Sequence, residues 1–164
     1  MKIIKTMVLL VVALFIVTPV LVDSASTDKS ADNMQILRDK IKADKKLVLA
    51  ANMQLTESEA KAFWPVYDAY QKDLAEINKR TAKMISSYVD DWNAGTLNNE
   101  KAKKLTSEML AIQSDEVKLM QNYLPKLSKA LPATKVARYL QIENKIRAII
   151  RYELAAMIPL IPGN

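Results

Sequence analysis

Adjacent carboxylates at Asp90 and Asp91 are the first place to look for acid–base chemistry in this sequence. On a helix, neighbouring residues point about 100° apart, so the two cannot close on one proton. They also sit just before the terminator Asn93-Ala94-Gly95, where carboxylates are ordinarily solvated. A calcium site would need several more oxygen donors in a loop, and no such loop follows. The chain contains no His and no Cys, which removes the usual nucleophile–base pairs and the common zinc ligands. Two glycines in the whole sequence argue against phosphate-cradling loops and hairpin-rich sheets. The residues point away from catalysis, and no cofactor or metal is expected.

Binding chemistry is better represented. Trp64, Tyr88 and Trp92 are broad aromatic side chains with a polar handle, suited to contact if part of each ring is exposed and to core filling if not. Between Pro125 and Arg151 stand Lys126, Lys129, Lys135, Arg138, Lys145, Arg147 and Arg151, with Glu143 the one acid among them. Arg147 and Arg151 lie one turn apart, and Glu143 can pair with Arg147 at i,i+4. Such a face is either solvated surface or a docking site for acidic or partly unfolded protein, a partner domain or anionic lipid. The candidate partner-binding set is therefore Trp64, Tyr88, Trp92, Lys135, Arg138, Lys145, Arg147 and Arg151.

Helices must position these groups. A first amphipathic pattern runs from about Asn33 to Asn52, with Leu37, Ile41, Val48 and Ala51 on one side and Arg38, Lys40, Lys42, Lys45 and Lys46 on a solvated one. Leu55-Thr56-x-x-Glu59 reads as a capping box with a hydrophobic staple. Behind it, Phe63, Tyr67, Tyr70, Leu74, Ile77, Thr81, Met84, Tyr88 and Trp92 alternate steps of three and four, one stripe of a helix about 55 Å long. Pro65 lies beyond the first turn, so a bend or a helix restart is expected there. Gly95 ends the segment in a left-handed conformation.

A third helix starts at Thr96 or Asn98, with Ala102, Leu105, Met109, Ile112, Glu116, Leu119, Tyr123 and Leu127 as its stripe. Glu116 on that stripe either sits at the edge of the helix pair or meets a basic partner. Pro125 and Pro132 should break up the region 124–131. The last helix runs from about Ala133 to Met157 with Val136, Leu140, Glu143, Ile146, Ile150, Leu154 and Met157 inward. The apolar segment Met157–Ile161 should dock on a helix or a second subunit. The short turn 93–98 makes the two middle helices antiparallel. The expected fold is all-α: an elongated, bent antiparallel hairpin with flanking helices, about four in total.

The N-terminal residues differ from the rest. Lys2 and Lys5 precede an uncharged run of 16 residues from Met7 to Val22, followed by the small residues Ser24, Ala25 and Ser26. This is the pattern of a secretory signal peptide; a retained anchor is the alternative, but the run is short of the roughly 20 residues a spanning helix needs. Residues 1–26 are read as the signal and 27–164 as one domain in the periplasm. Residues 27–100 carry 11 basic and 12 acidic side chains, whereas 101–164 carry 11 and 5. The basic half suits envelope proteins or anionic lipid, and export disfavours nucleic acid as a partner.

Leu55-Thr56-x-x-Glu59 resembles the Leu-Thr-x-x-Gln motif of the periplasmic Spy/CpxP-like proteins, with Glu59 in the Gln position. Leu131-Pro132-Ala133-Thr134-Lys135 is similar to a second copy, with Pro132 in the Thr position and Lys135 in the Gln position. Phe63-Trp64-Pro65-Val66-Tyr67-x-x-Tyr70 and 137–145 (ARYLQIENK) resemble segments of exported bacterial relatives of that group. The resemblance spans about residues 50–158. It implies a bent hairpin that dimerises into a cradle with a basic concave side. It also implies an envelope-stress role, as an ATP-independent holding chaperone or as a repressor of a sensor kinase. The zinc binding of another branch does not carry over to a chain without histidine.

Overall fold

Thr56 opens the longest helix by a reciprocal exchange of hydrogen bonds. Its hydroxyl accepts from the Glu59 amide at 3.3 Å, and the Glu59 carboxylate accepts from the Thr56 amide at 2.7 Å. Both orphan donors of the first turn are thereby satisfied. The computed structural model describes residues 45–163. Among these it shows four helices and no strand: α1 (45–53), α2 (Glu57–Asn93), α3 (Asn99–Ala130) and α4 (Ala133–Met157). The proposed signal, its cleavage site and the part of the first helical pattern before residue 45 lie outside the described residues.

Each connection has a local cause. Gln54 takes a left-handed φ of 49° between α1 and α2. After α2, Gly95 adopts φ 63°; its amide bonds to the Trp92 carbonyl at 3.2 Å and the Thr96 amide to that of Asp91 at 3.0 Å. This pair of bonds is a Schellman motif, which needs a left-handed residue and selects glycine. Asn98, rather than Thr96, caps α3 through a 3.0 Å bond from the Lys101 amide. Pro132 forces the preceding Leu131 into an extended conformation (φ −137°, ψ 152°) and then starts α4 by accepting from Val136 at 3.0 Å.

The two internal prolines do not interrupt their helices. α2 runs through Pro65 as one helix, so there is no restart, and α3 runs through Pro125 to Ala130 instead of breaking near residue 124. The loss of one internal hydrogen bond in each case is absorbed by helices anchored in the core on both sides of the proline. Phe63 and Tyr67 are buried around the first proline, and Tyr123 and Leu127 around the second.

α2 and α3 pair antiparallel. Asp91 meets Lys101 at 2.7 Å, Arg80 meets Glu108 and Asp115 at 3.0 and 2.6 Å, and Tyr123 donates to Asp73 at 2.6 Å. Partners thus run in opposite order along the two chains. The main core joins all four helices. Leu49 and Met53 of α1, Phe63, Tyr70 and Leu74 of α2, Leu127 of α3, and Val136 and Tyr139 of α4 are all within it. Tyr139 packs edge-on against Phe63, Tyr67 and Tyr70 with centroids 5.2, 6.2 and 6.5 Å away, a geometry the aromatic quadrupoles favour. A second cluster, Ile85, Tyr88 and Val89, is closed by Leu97, Leu105, Leu154, Met157 and Ile158.

Buried positions recur at a spacing of eleven: Tyr67, Asn78 and Val89 on α2, Ile112 and Tyr123 on α3, Tyr139 and Ile150 on α4. The three-four alternation read from the sequence holds to Leu74 and then slips, with Asn78, Ile85 and Val89 buried in place of Ile77, Thr81 and Met84. A 3.6-residue helix rotates about 20° per heptad away from a 3.5-residue stripe, so a long helix leaves such a stripe behind. On α1 Leu49 and Met53 are the buried residues; Val48 packs half-buried against Ile146 and Ile150 as expected, whereas Ala51 is exposed. On α4 Tyr139 is buried more deeply than its neighbour Leu140.

Among the described residues the buried Tyr139 hydroxyl has no partner at hydrogen-bonding geometry, Gln71 exerting only a weak electrostatic influence on it, and burial pushes its pKa strongly upward. Removing a stranded hydroxyl relieves a desolvation cost. Tyr139→Phe is therefore expected to leave stability unchanged or raise it by about 1 kcal/mol, whereas Tyr139→Ala costs about 3–5 kcal/mol. Urea unfolding of the two variants checks this.

Candidate partner-binding surface

The basic residues of α4 do not form one face. Lys135 reaches the α1–α2 turn, where its ammonium donates to the Gln54 carbonyl at 3.0 Å and forms a short ion pair with Glu59. The two Leu-Thr-x-x-Gln-like segments therefore meet through the residues in their Gln positions. Arg138 donates to the Asn52 carbonyl at the end of α1 at 2.6 Å. Arg147 points the other way, between α2 and α3, donating to the Tyr70 hydroxyl and lying 3.5 Å from Glu116. Arg151 meets the same Glu116 carboxylate at 2.6 Å. Of its two expected placements, Glu116 has thus taken the one with a basic partner, in duplicate. Lys145 is exposed and forms no ion pair among the described residues.

Glu143 does not pair with Arg147. It is 1% exposed and accepts from Lys45 of α1 at 2.8 Å and from Gln71 of α2 at 3.1 Å. Lys45, read from the sequence as a solvated cation, instead faces inward and also donates to Gln71 at 3.1 Å. Burial lowers its pKa, opposed by the Glu143 carboxylate. A carboxylate withdrawn from water needs a cation and further donors, and the nearest helix to supply them is α1. Burial similarly pushes the Tyr70 hydroxyl up to about 12, so it stays protonated beside Arg147.

The aromatic candidates also serve the fold. Tyr88 is buried and donates to the Pro159 carbonyl at 2.6 Å, and the Trp92 indole donates to that of Leu160 at 3.3 Å. The segment after α4 is thereby strapped to the far end of α2; Met157 and Ile158 pack there as expected of the apolar segment, whereas Leu160 and Ile161 stay exposed. Trp64 is half-buried; its ring lies 5.0 Å from Phe63, with the Lys46 ammonium 5.2 Å from its centroid. Asp91 is held by Lys101 at 2.7 Å and by the Thr96 hydroxyl at 3.2 Å, and the Lys101 hydrogen bond lowers its pKa.

Among the described residues, half of the exposed large apolar side chains are on α3, and Leu47, Tyr152, Leu160 and Ile161 are exposed elsewhere. Met109, Leu110, Val117 and Leu124 are 40%, 55%, 57% and 42% exposed. Met109 had been placed on the inner stripe; Leu110, Val117 and Leu124 belong to a second, outward row. The sequence signal for that row is its spacing of seven, with no charged residue three or four positions from any member. Among the described residues no cluster of acidic side chains could hold a metal ion, and no helix is long and apolar enough to cross a membrane. No protein-family model, curated protein or solved structure matches the chain.

Two variants test this wiring. Lys45→Met leaves Glu143 buried without its cation and should cost about 3–5 kcal/mol; adding Glu143→Leu should recover most of the loss, measured as a double-mutant cycle. The ion pair with Lys135, followed by the Thr56 amide bond, holds the Glu59 pKa below its ordinary 4.5. Its stabilising contribution is complete above that value and disappears as pH falls through the lowered one. Glu59→Gln should flatten the acid limb of the urea-midpoint profile between about pH 5 and pH 2.

Proposed function

We propose that this chain is an exported, non-catalytic protein-binding module of the bacterial envelope, with the ATP-independent holding activity of a chaperone. The observation that carries the reading is the exposed apolar row of α3, where Leu110, Val117 and Leu124 stand in line along one helix face. An ordered row of exposed apolar side chains on a folded domain suits contact with other proteins. The surrounding lysines add long-range attraction for acidic chains, at a strength that falls with salt. The N-terminal export pattern and the resemblance to Spy/CpxP-like proteins supply the location and the kind of work.

A regulatory subunit of an envelope sensor is the second reading. The heptad spacing of Leu110, Val117 and Leu124 favours it, because a repeating row suits a partner of fixed register better than a collapsed client. Either function uses the same surface.

The purified protein should suppress aggregation of a reduced or heat-unfolded client at a few-fold molar excess, more strongly at low than at moderate salt. Val117→Glu should weaken that suppression several-fold without changing the thermal midpoint by more than about 2 °C, since the site is on the surface. Absence of suppression at both salts would remove the holding activity.

A further inference from the structure

The outer face of α3 has more definition than exposure alone. With about 100° of rotation per residue, the sector centred on Val117 and reaching about 80° to the lysine side and 60° to the other can be followed from Thr106 to Ser128. No Lys, Arg, Asp or Glu falls within it, in a chain that is 26% charged. The sector extends for about 33 Å, or six turns. Leu110, Val117 and Leu124 run along its centre, with Gln113 and Gln121 interleaved. All five are exposed. This is the pattern of a helix seam, apolar knobs at heptad spacing with hydrogen-bonding side chains between them.

The borders of the seam carry an excess of cations. Lys104, Lys118 and Lys129 follow one edge; Lys104 and Lys129 have no ion pair among the described residues, and Lys118 shares Asp115 with Arg80. On the opposite edge the single acid, Glu116, is outweighed by Arg147 and Arg151. A second copy is a poor occupant. Antiparallel two-fold pairing brings the lysine edge against itself, and parallel pairing brings it against the Arg147–Arg151 edge. A bilayer is also poorly matched, because interfacial helices present a broad apolar face with Trp, Phe or Leu, and this row is one side chain wide between glutamines and serines.

We infer that the outer face of α3 docks an acidic amphipathic helix of another protein. Its apolar row packs against Leu110, Val117 and Leu124, and its Glu or Asp flank lies along the lysine edge, leaving Arg147 and Arg151 to Glu116. This rests on the protein-binding reading above and gives it a partner chemistry.

The test uses the purified protein and two synthetic 28-residue peptides with Leu at the a and d heptad positions, one with Glu and one with Lys at e and g. Fluorescence anisotropy should show the glutamate peptide binding at least tenfold tighter than the lysine peptide, with the difference shrinking as salt rises. Val117→Glu should weaken binding at least tenfold, and Lys104→Glu with Lys129→Glu should reverse the preference between peptides, each with an unchanged circular-dichroism melt. Equal binding of both peptides, or indifference to both sets of substitutions, overturns the inference. So does a Val117-dependent homodimer in sedimentation equilibrium at tens of micromolar, or Val117-dependent binding to vesicles of anionic phospholipid that the glutamate peptide does not displace. If client holding persists while the glutamate peptide fails, the partner chemistry falls and the holding function stands; if the peptide binds and holding fails, the reverse applies.

Discussion

A buried carboxylate organises this molecule. Glu143 lies at the junction of α1, α2 and α4 at 1% exposure, and such a charge is tolerated only when a cation and neutral donors surround it. Lys45 and Gln71 fill those roles, so α4 is tied at one point to the consecutive helices α1 and α2, far from it in sequence. An ion pair of this kind adds little net stability over an apolar packing, but it penalises any arrangement that leaves one partner behind. Next to it, Tyr70, Arg147 and Glu116 make a second polar junction, linking α2, α4 and α3. The core aromatics lie against these junctions, and their positions follow from them.

Fixing the core with charge has a consequence for the surface. Lys135, Arg138, Arg147 and Arg151 each have a partner inside the chain. A basic helix that looks in isolation like a docking face is mainly a set of ties to the other helices. The contact surface we favour is accordingly on α3, whose inner side is held by α2 and whose outer side is apolar and uncharged.

The sequence made the helices legible wherever the signal was local. The capping box at Thr56 and Glu59, the left-handed Gly95 and the span of α4 depend on neighbours a few residues apart. So does the place of Glu116 on an apolar stripe, although the identity of its cation does not. Long-range choices were hidden: whether Glu143 pairs with Arg147 one turn away or with Lys45 at the other end of the chain depends on which helices meet. Pro65 and Pro125 were read by their local cost, whereas packing on both sides decided the outcome. The outward row of α3 was missed for a different reason. Two apolar rows on one helix compete in a periodicity count, and the inner one was accepted as the whole pattern.

The central claim is that α4 spends its charge on the fold while α3 meets the partner. Backbone amide hydrogen exchange of the protein, alone and with a bound unfolded client, tests it most directly. The account predicts that added protection concentrates between residues 106 and 128, with 135–151 unchanged. Protection concentrated along 135–151, with α3 unaffected, would contradict it.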